Sequence, residues 1–589
     1  MPITETTLAL IARIYAREQI KLDRLFLGRI QDSVPYRLAR HARVIAPTVV
    51  CLSILFMLFG QFLIGPPNVH SARTFALIVE TVVLVGWLLS SPQALLWRNS
   101  HLFRWILSIW LTVGFVGVFF ASYNSASALV GQLEWMSHLF FIVALVDLHS
   151  RKLLTPLDLF KGVTWAGVVF LAFFLYRWNI MDDPQGYNWS WGAIPFINIR
   201  HVAYFILPAF VCSLYVSLIS DGWLRKVHIA FAICLLAFLI WTGGRASVAA
   251  AILTLIFVCV YLISIERFRK QLAILVVLGV VASFALTLPF SVDDPALSLF
   301  SPSGEVTETN SDFDDFSSGR LGTWQAQLAS MSVADMWIGQ GVDNYKFIPD
   351  RADISIHPHS WFMQAWSSWG IVVTGLIIIG ILVIIASLIR RMLSSEKLDV
   401  KRDNFFLLSV LSSSLALSLL DGNLYNSWSV TTFAAFFASA IYASSPTIGS
   451  LSKADEKRPL RSWWLYGTSV LVVALAIHLI NNMTVFGRSV PKPSDWRASI
   501  VMAIPYNTVT VESWLDVWQR EDQGDMLRLL SWLQANSPQR HRFMLIEADM
   551  LDAAGYEEEA LQKLNDAIEV APKKARKALL EFKDGLTDD

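Results

Sequence analysis

Runs of about 20 apolar residues, each long enough to cross a bilayer as a helix, recur through most of this chain and constrain its fold more than any other feature. A backbone in hydrocarbon must satisfy its own hydrogen bonds, so repeated spans of this kind predict an all-α polytopic membrane protein. About thirteen candidates, or twelve to thirteen transmembrane helices, can be counted. The first nine start near Val44, Thr74, Phe103, Leu129, Val163, Val202, Val227, Ala246 and Gln271, and the last four near Trp361, Phe405, Trp428 and Trp463. The second, fifth and twelfth read as the shortest. Composition agrees: 54% of the 589 residues are hydrophobic and 16% charged, too apolar for a soluble chain of this length. The 23 Trp and 37 Phe suit the membrane–water interface.

Formal net charge is zero, but the basic residues are distributed with a period. The arm 1–43 carries Arg13, Arg17, Lys21, Arg24, Arg29, Arg37, Arg40 and Arg43. It is basic and helical in pattern, unlike the short apolar core of a cleavable signal peptide. Every second loop after it is basic as well, as at Arg151–Lys152, Arg225–Lys226, Arg267 to Lys270, Arg390–Arg391 and Lys457–Arg458. The loops between are poor in Lys and Arg, as in ASYNSASALVGQ and LDGNLYNSW. Positive charge stays inside, so the N-terminus is expected in the cytoplasm and, with an odd span count, everything after Ile480 on the outer side. Cys51, Cys212, Cys234 and Cys259 all lie in apolar runs without metal-ligand spacing and read as core or lipid-facing thiols.

Three parts follow from this reading: the arm 1–43, a transmembrane part 44–480, and a soluble helical part 481–589. Inside the second, residues 290–360 form a long loop on the outer side, with the acidic stretch SGEVTETNSDFDDFSSG. Loops of this length within a compact assembly are commonly functional. In the third, apolar residues recur at helical spacing on both sides of Ala553–Tyr556, and Pro572 closes the second helix; this predicts a tetratricopeptide-like helix pair, a docking surface for a protein partner.

Charged groups at membrane depth are functional candidates, and four basic clusters fall on the outer side. Arg200 stands in FINIRHVAYF, at the mouth of the sixth span. Arg245 stands in WTGGRASV, a tight hairpin in which Gly243 and Gly244 permit the turn. Arg320 opens the amphipathic stretch SSGRLGTWQAQLASMSVADMWIGQG. His357 and His359 stand in HPHSWFMQAWSSWG. Taken singly, each has an ordinary reading as a snorkelling side chain or an interfacial cap. Together, three arginines on one face make a site for an anion, most naturally a diphosphate. A histidine among them can take a proton from a hydroxyl at neutral pH. No third His or Cys stands near the His pair to complete a metal site.

At these motifs the chain resembles the O-antigen ligase superfamily, which includes O-antigen ligases, O-antigen polymerases and pilin-type protein O-oligosaccharyltransferases. The resemblance runs from about Asn198 to Tyr442. GGRAS is similar to the family's arginine-bearing hairpin, GRLGTW with IGQGVDNY to its long-loop motif, and His359, Ser360 and Gly370 to its ligase signature. Where that signature ends on Gly, Thr or Tyr, this chain has Val373 with Thr374 next. The resemblance implies an inner-membrane glycosyltransferase that moves a glycan from undecaprenyl diphosphate to an acceptor hydroxyl with inversion, without metal or other cofactor. It gives His359 as the catalytic base, Arg245, Arg320 and Arg200 as the diphosphate clamp, and His357 as a supporting residue. The acceptor stays open among lipid A–core, a growing O-antigen or exopolysaccharide chain, and a protein. From another class, a lipid-linked glycan flippase or transporter would predict an internal repeat and polar residues across many spans. No nucleic acid is expected as a partner.

Overall fold

The computed structural model describes residues 50–56, 69–89, 100–187, 199–265, 279–290, 320–345, 358–445, 523–537 and 540–571, with a few single positions besides. The arm 1–43, His357 and the expected thirteenth span lie outside the described residues. The described elements are helices, with no strand among the described residues. In chain order they are α1 Val69–Leu89, α2 His101–Val116 with a π-turn at Gly117–Ala121, α3 Ser125–Ser150, α4 Pro156–Ile180, α5 Ile199–Ile219, α6 Gly222–Trp241 and α7 Arg245–Ile265. Then come α8 Arg320–Ser330, α9 Val333–Ile338, α10 Trp361–Ser394, α11 Leu398–Leu420, α12 Ser427–Ser444, α13 Gln523–Asn536, α14 Arg540–Ala553 and α15 Glu557–Val570. Among the described residues, seven helices are long and apolar enough to cross a membrane, and α10 is the longest of them.

The starts of these helices are chemically marked. Thr155 and Asp158 form a capping box at the start of α4, with Pro156 in its first turn. Asn124 caps α3 and Ser100 caps α2. The fifth span, expected to be short, is the 25-residue α4. Asp158, Lys161 and Arg177 interrupt its apolar run near both ends, and the capping box carries the helix beyond that run.

Buried polar ties join the spans. The carboxylate of Glu80 on α1 is fully buried and receives the hydroxyls of Ser137 at 2.7 Å and Thr431 at 2.6 Å. The His138 Nδ1 lies 2.6 Å from it. One side chain thereby joins α1, α3 and α12. At the other end of α3, Trp87 donates to Asp147 at 2.9 Å and Ser439 meets His149 Nε2 at 2.8 Å.

The C-terminal helices have their own apolar core around Val511, Met526, Leu529, Leu530, Leu533 and Phe543. Helices α14 and α15 follow one another, separated by a turn at Gly555 with φ +83. Lys563 lies 3.1 Å from Glu547 across the pair, and α13 packs on α14.

Candidate active site

The group that gathers the expected residues is a carboxylate, Asp421. It caps the C-terminus of α11 and opens the hairpin to α12. Its Oδ1 accepts the Gly422 N–H at 2.9 Å, and the turn is held by Asn426 donating to the Gly422 carbonyl at 3.1 Å. Arg320, the first residue of α8, places a guanidinium nitrogen 3.9 Å from Asp421 Oδ2. His359 places Nδ1 3.8 Å from Oδ1, in electrostatic contact and too long for a hydrogen bond. Tyr204, buried on α5, brings its hydroxyl to the same carboxylate. Burial pushes the Asp421 carboxyl up, but the His359 ring, the Arg320 charge and the Tyr204 hydroxyl outweigh it and hold the group below the usual carboxylate range. The Asp421 side chain is 12% exposed, Arg320 20% and His359 41%. The site therefore has a buried anionic floor and a cationic, accessible rim.

His359 has φ +51, a left-handed conformation that non-glycine residues seldom adopt. The surroundings enforce it. Trp324 of α8 donates to the Pro358 carbonyl at 2.7 Å, and Gln327 donates to the Met363 carbonyl at 2.9 Å. The helix bearing Arg320 is thus bonded to the backbone on both sides of His359. Further along, α10 breaks at Gly370, with φ +73. A Cβ there would sit 2.0 Å from the Trp337 carbonyl oxygen, and a Cβ on Gly339 2.5 Å from the Ser368 carbonyl. The two glycines allow the backbones of residues 337–341 and 367–370 to touch. Gln340 N–H donates to the Ser367 carbonyl at 2.6 Å and Trp366 to the Met336 carbonyl at 3.0 Å. Beneath them, Trp369 donates to Gln132 at 3.0 Å and the Asn124 N–H to Asn344 at 2.7 Å. Residues 320–345 are therefore fastened to α3 and α10.

Arg245 opens α7 and is exposed. Gly243, with φ +66, makes the turn before it, and Trp241 at the end of α6 donates to the Phe290 carbonyl at 2.6 Å. Its height follows from packing. Tyr204 and Tyr215 of α5 reach Asp421 and Asp403 at opposite ends of α11, so α5 and α11 run antiparallel. The two tight turns through α6 bring α7 back parallel to α5, and Tyr261 of α7 stacks on Phe405 of α11 at 4.1 Å. Arg245 is as far along the chain from Tyr261 as Asp421 is from Phe405, so both lie about 24 Å above that contact at 1.5 Å per residue. Arg200 occupies the first turn of α5, one turn ahead of Tyr204. The arginines of the expected clamp are thus set at one end of the bundle.

Next to this group, an apolar cleft of about 250 Å³ opens between α2, α3, α10 and α12. Trp361, two residues after His359, and Leu424, three after Asp421, line it, together with Trp110, Trp369 and the aliphatic side chains of α10 and α12. Its wall is almost wholly apolar, with His138 among the few polar residues on it.

Sequence reasoning missed Asp421 and Tyr204. A signal for Asp421 existed, since it is the acidic residue of the hairpin LDGNLYNSW between two apolar spans. Residues 230–378, about a quarter of the chain, match the model of a family described as O-antigen ligase. The matched stretch contains Arg245, Arg320, His359 and Gly370 and ends before Asp421. No curated protein and no solved structure matches the chain.

Proposed function

The chain carries an O-antigen ligase segment within a helical membrane bundle, and on that premise we propose that it is a glycosyltransferase acting on a lipid-carried glycan at the periplasmic face of the inner membrane. The observation that carries the reading is that Arg320 and His359 meet on one buried carboxylate, Asp421. A cation for a phosphate and a base for a hydroxyl stand side by side, the pairing that glycosyl transfer from a diphosphate needs.

In this reading the donor is undecaprenyl diphosphate glycan. Its chain has an apolar cleft beside the site, and its diphosphate lies against Arg320, Arg245 and Arg200. The acceptor oxygen attacks the anomeric carbon from the side opposite the diphosphate. The new C–O bond forms as the old C–O bond breaks, which inverts the centre. The bonding pair leaves with the diphosphate, where arginine charge stabilises it. The acceptor's proton passes to His359. Asp421 orients the His359 ring by holding its Nδ1 edge, which directs the other ring nitrogen toward the acceptor. It sets Arg320 at the same time. His357 supports this arrangement. No step requires a metal, so a chelator should leave turnover unchanged. The tetratricopeptide-like C-terminal helices recruit the acceptor or a partner, and a polymeric or protein acceptor makes best use of such a module.

The test is a reconstituted assay with purified donor and acceptor. Arg320→Ala and Arg245→Ala should abolish donor use while the protein stays folded. Lys in either place should rescue poorly, because an ammonium cannot fork onto two phosphate oxygens. Near-normal transfer in both Ala variants would remove the clamp. A deletion strain examined for lipopolysaccharide, exopolysaccharide and glycoproteins side by side identifies the acceptor.

A further inference from the structure

Beside the site, a group of large side chains is exposed among the described residues. Phe119 is 61% exposed, Phe120 83%, Tyr123 46%, Val333 74% and Trp337 58%. They come from two elements. Helix α2 widens into the π-turn Gly117–Ala121, and there two consecutive phenylalanines both face outward. Helix α9 packs on that turn, so close that a Cβ on Gly117 would lie 3.4 Å from the Ile338 carbonyl oxygen. Tyr123 lies within electrostatic reach of Asp335 on α9; burial and then that carboxylate push its phenol up. Val333 and Trp337 are four residues apart on α9 and so share one face. Ser332 and Asp335 are instead bonded to each other in the capping box.

The occupant of this face follows from what it continues. Phe119 and Phe120 are in the last turn of the span His101–Ala121. Only 28% of that span's most apolar stretch is buried in the protein, and its exposed residues include Leu102 and Trp105. Lipid around such a span would reach Phe119 and Phe120 at its end, where Val333 and Trp337 adjoin them. Aromatic rings favour that boundary. A short helix with one apolar and one polar face is the shape that lies in it.

We propose that the π-turn of α2 and the apolar face of α9 form one platform seated on the membrane, at the boundary between acyl chains and headgroups. The platform is rigidly joined to the site. Two residues link α9 to α8, which bears Arg320, and Gly339 rests on the backbone at Ser368. Membrane contact at α9 therefore fixes the depth of Arg320, His359 and Asp421. The platform stands independently of the reaction proposed above; only its use in meeting a lipid-carried donor rests on that reading.

Site-directed nitroxide labelling tests it without an activity assay. In full-length protein with the four native cysteines replaced, labels go at Val333→Cys, Trp337→Cys and Phe120→Cys, with exposed Gln325→Cys on α8 as reference. The protein is reconstituted in nanodiscs of phosphatidylethanolamine and phosphatidylglycerol. Collision with oxygen, which concentrates in lipid, is compared with collision with a water-soluble nickel chelate. The expected result is a higher oxygen-to-nickel ratio at 333, 337 and 120 than at 325. Nickel access at 333 and 337 equal to that at 325 would put the face in water and overturn the proposal. Protection from both reagents would mean a protein cover, a second copy or another partner, and would overturn it too. Phe120 is a separate position on α2, so misfolding of one labelled variant still leaves a reading.

Discussion

Two carboxylate–histidine pairs among the described residues are built in opposite ways. Glu80 and His138 are 2.6 Å apart, both are buried, and two hydroxyls complete the carboxylate's shell. Asp421 and His359 are 3.8 Å apart, the histidine is 41% exposed, and its backbone has φ +51. A polar group buried in an apolar interior needs partners, and Glu80 finds them on three helices. Asp421 is nearly as buried, yet Arg320 and His359 are held at electrostatic distance by the backbone bonds of Trp324 and Gln327. A pair whose bonding capacity is filled by the fold has little left for another molecule. The open pair stands at an accessible rim, where a substrate can reach the histidine.

The largest break in the comparison should come from removing one member of each pair. His359→Ala should lower transfer by about 10²–10⁴-fold, the usual worth of a general base, while thermal unfolding and donor binding stay unchanged. Unaltered turnover in the reconstituted assay would end the assignment of His359 as the base. The closed pair should respond in stability instead. Glu80→Ala leaves His138, Ser137 and Thr431 without their acceptor, a loss of about 3–5 kcal/mol for a broken buried pair. It should appear as a lower unfolding midpoint in detergent, with normal turnover per folded molecule.

A smaller effect should come from the contact that aims the open pair. Gly370→Ala would need a left-handed alanine with its Cβ 2.0 Å from the Trp337 carbonyl oxygen. Residues 337–341 must then move off α10 and take α8 and Arg320 with them. A displacement of about 1 Å can cost about 10²-fold in rate, so kcat should fall by about that factor while the spans stay folded. A crystal or cryo-electron structure of the variant should show α9 displaced; wild-type kcat would show that this contact does not aim Arg320.

Much of this was legible in the sequence, for identifiable reasons. Spans are read from runs of apolar residues, and α2 to α7 fall where those runs lie. Arg245 and His359 stand out because each interrupts an apolar or small-residue stretch at a span end, and Arg320 because it opens an amphipathic stretch in the long loop. The role of Gly370 was not legible: its spacing from His359 was visible, but its contact with Trp337 joins segments whose approach only the fold determines. Glu80 gave a clear signal, a lone carboxylate within TFALIVETVVLV, and such a residue is a candidate by default. Tyr204 had no signal, since a tyrosine in an apolar helix reads as core.

The smallest effect concerns Asp421 itself, and its sign can be worked out. Its partners hold the folded-state pKa below the unfolded value, so between the two the unfolded chain binds more protons. Stability from this group is then fully present above the ordinary carboxylate range of about 4 and is lost as pH falls toward the lowered folded value. Asp421→Asn keeps the shape and removes the charge. At neutral pH the variant should be less stable than the parent, because Arg320 and Tyr204 lose an anionic partner. Below pH of about 4 the gap should narrow, since the unfolded parent chain then takes up a proton on Asp421 that the folded protein binds only at lower pH. Glu80→Gln, in the closed pair, supplies the contrast in rate: it should leave kcat unchanged at all pH values, whereas Asp421→Asn should lower kcat by disorienting His359. Unfolding midpoints and kcat measured across pH for both variants make the check. A stability gap for Asp421→Asn that stays constant into strong acid would mean that Asp421 is not charged in the folded protein, and the open pair would then be a neutral contact.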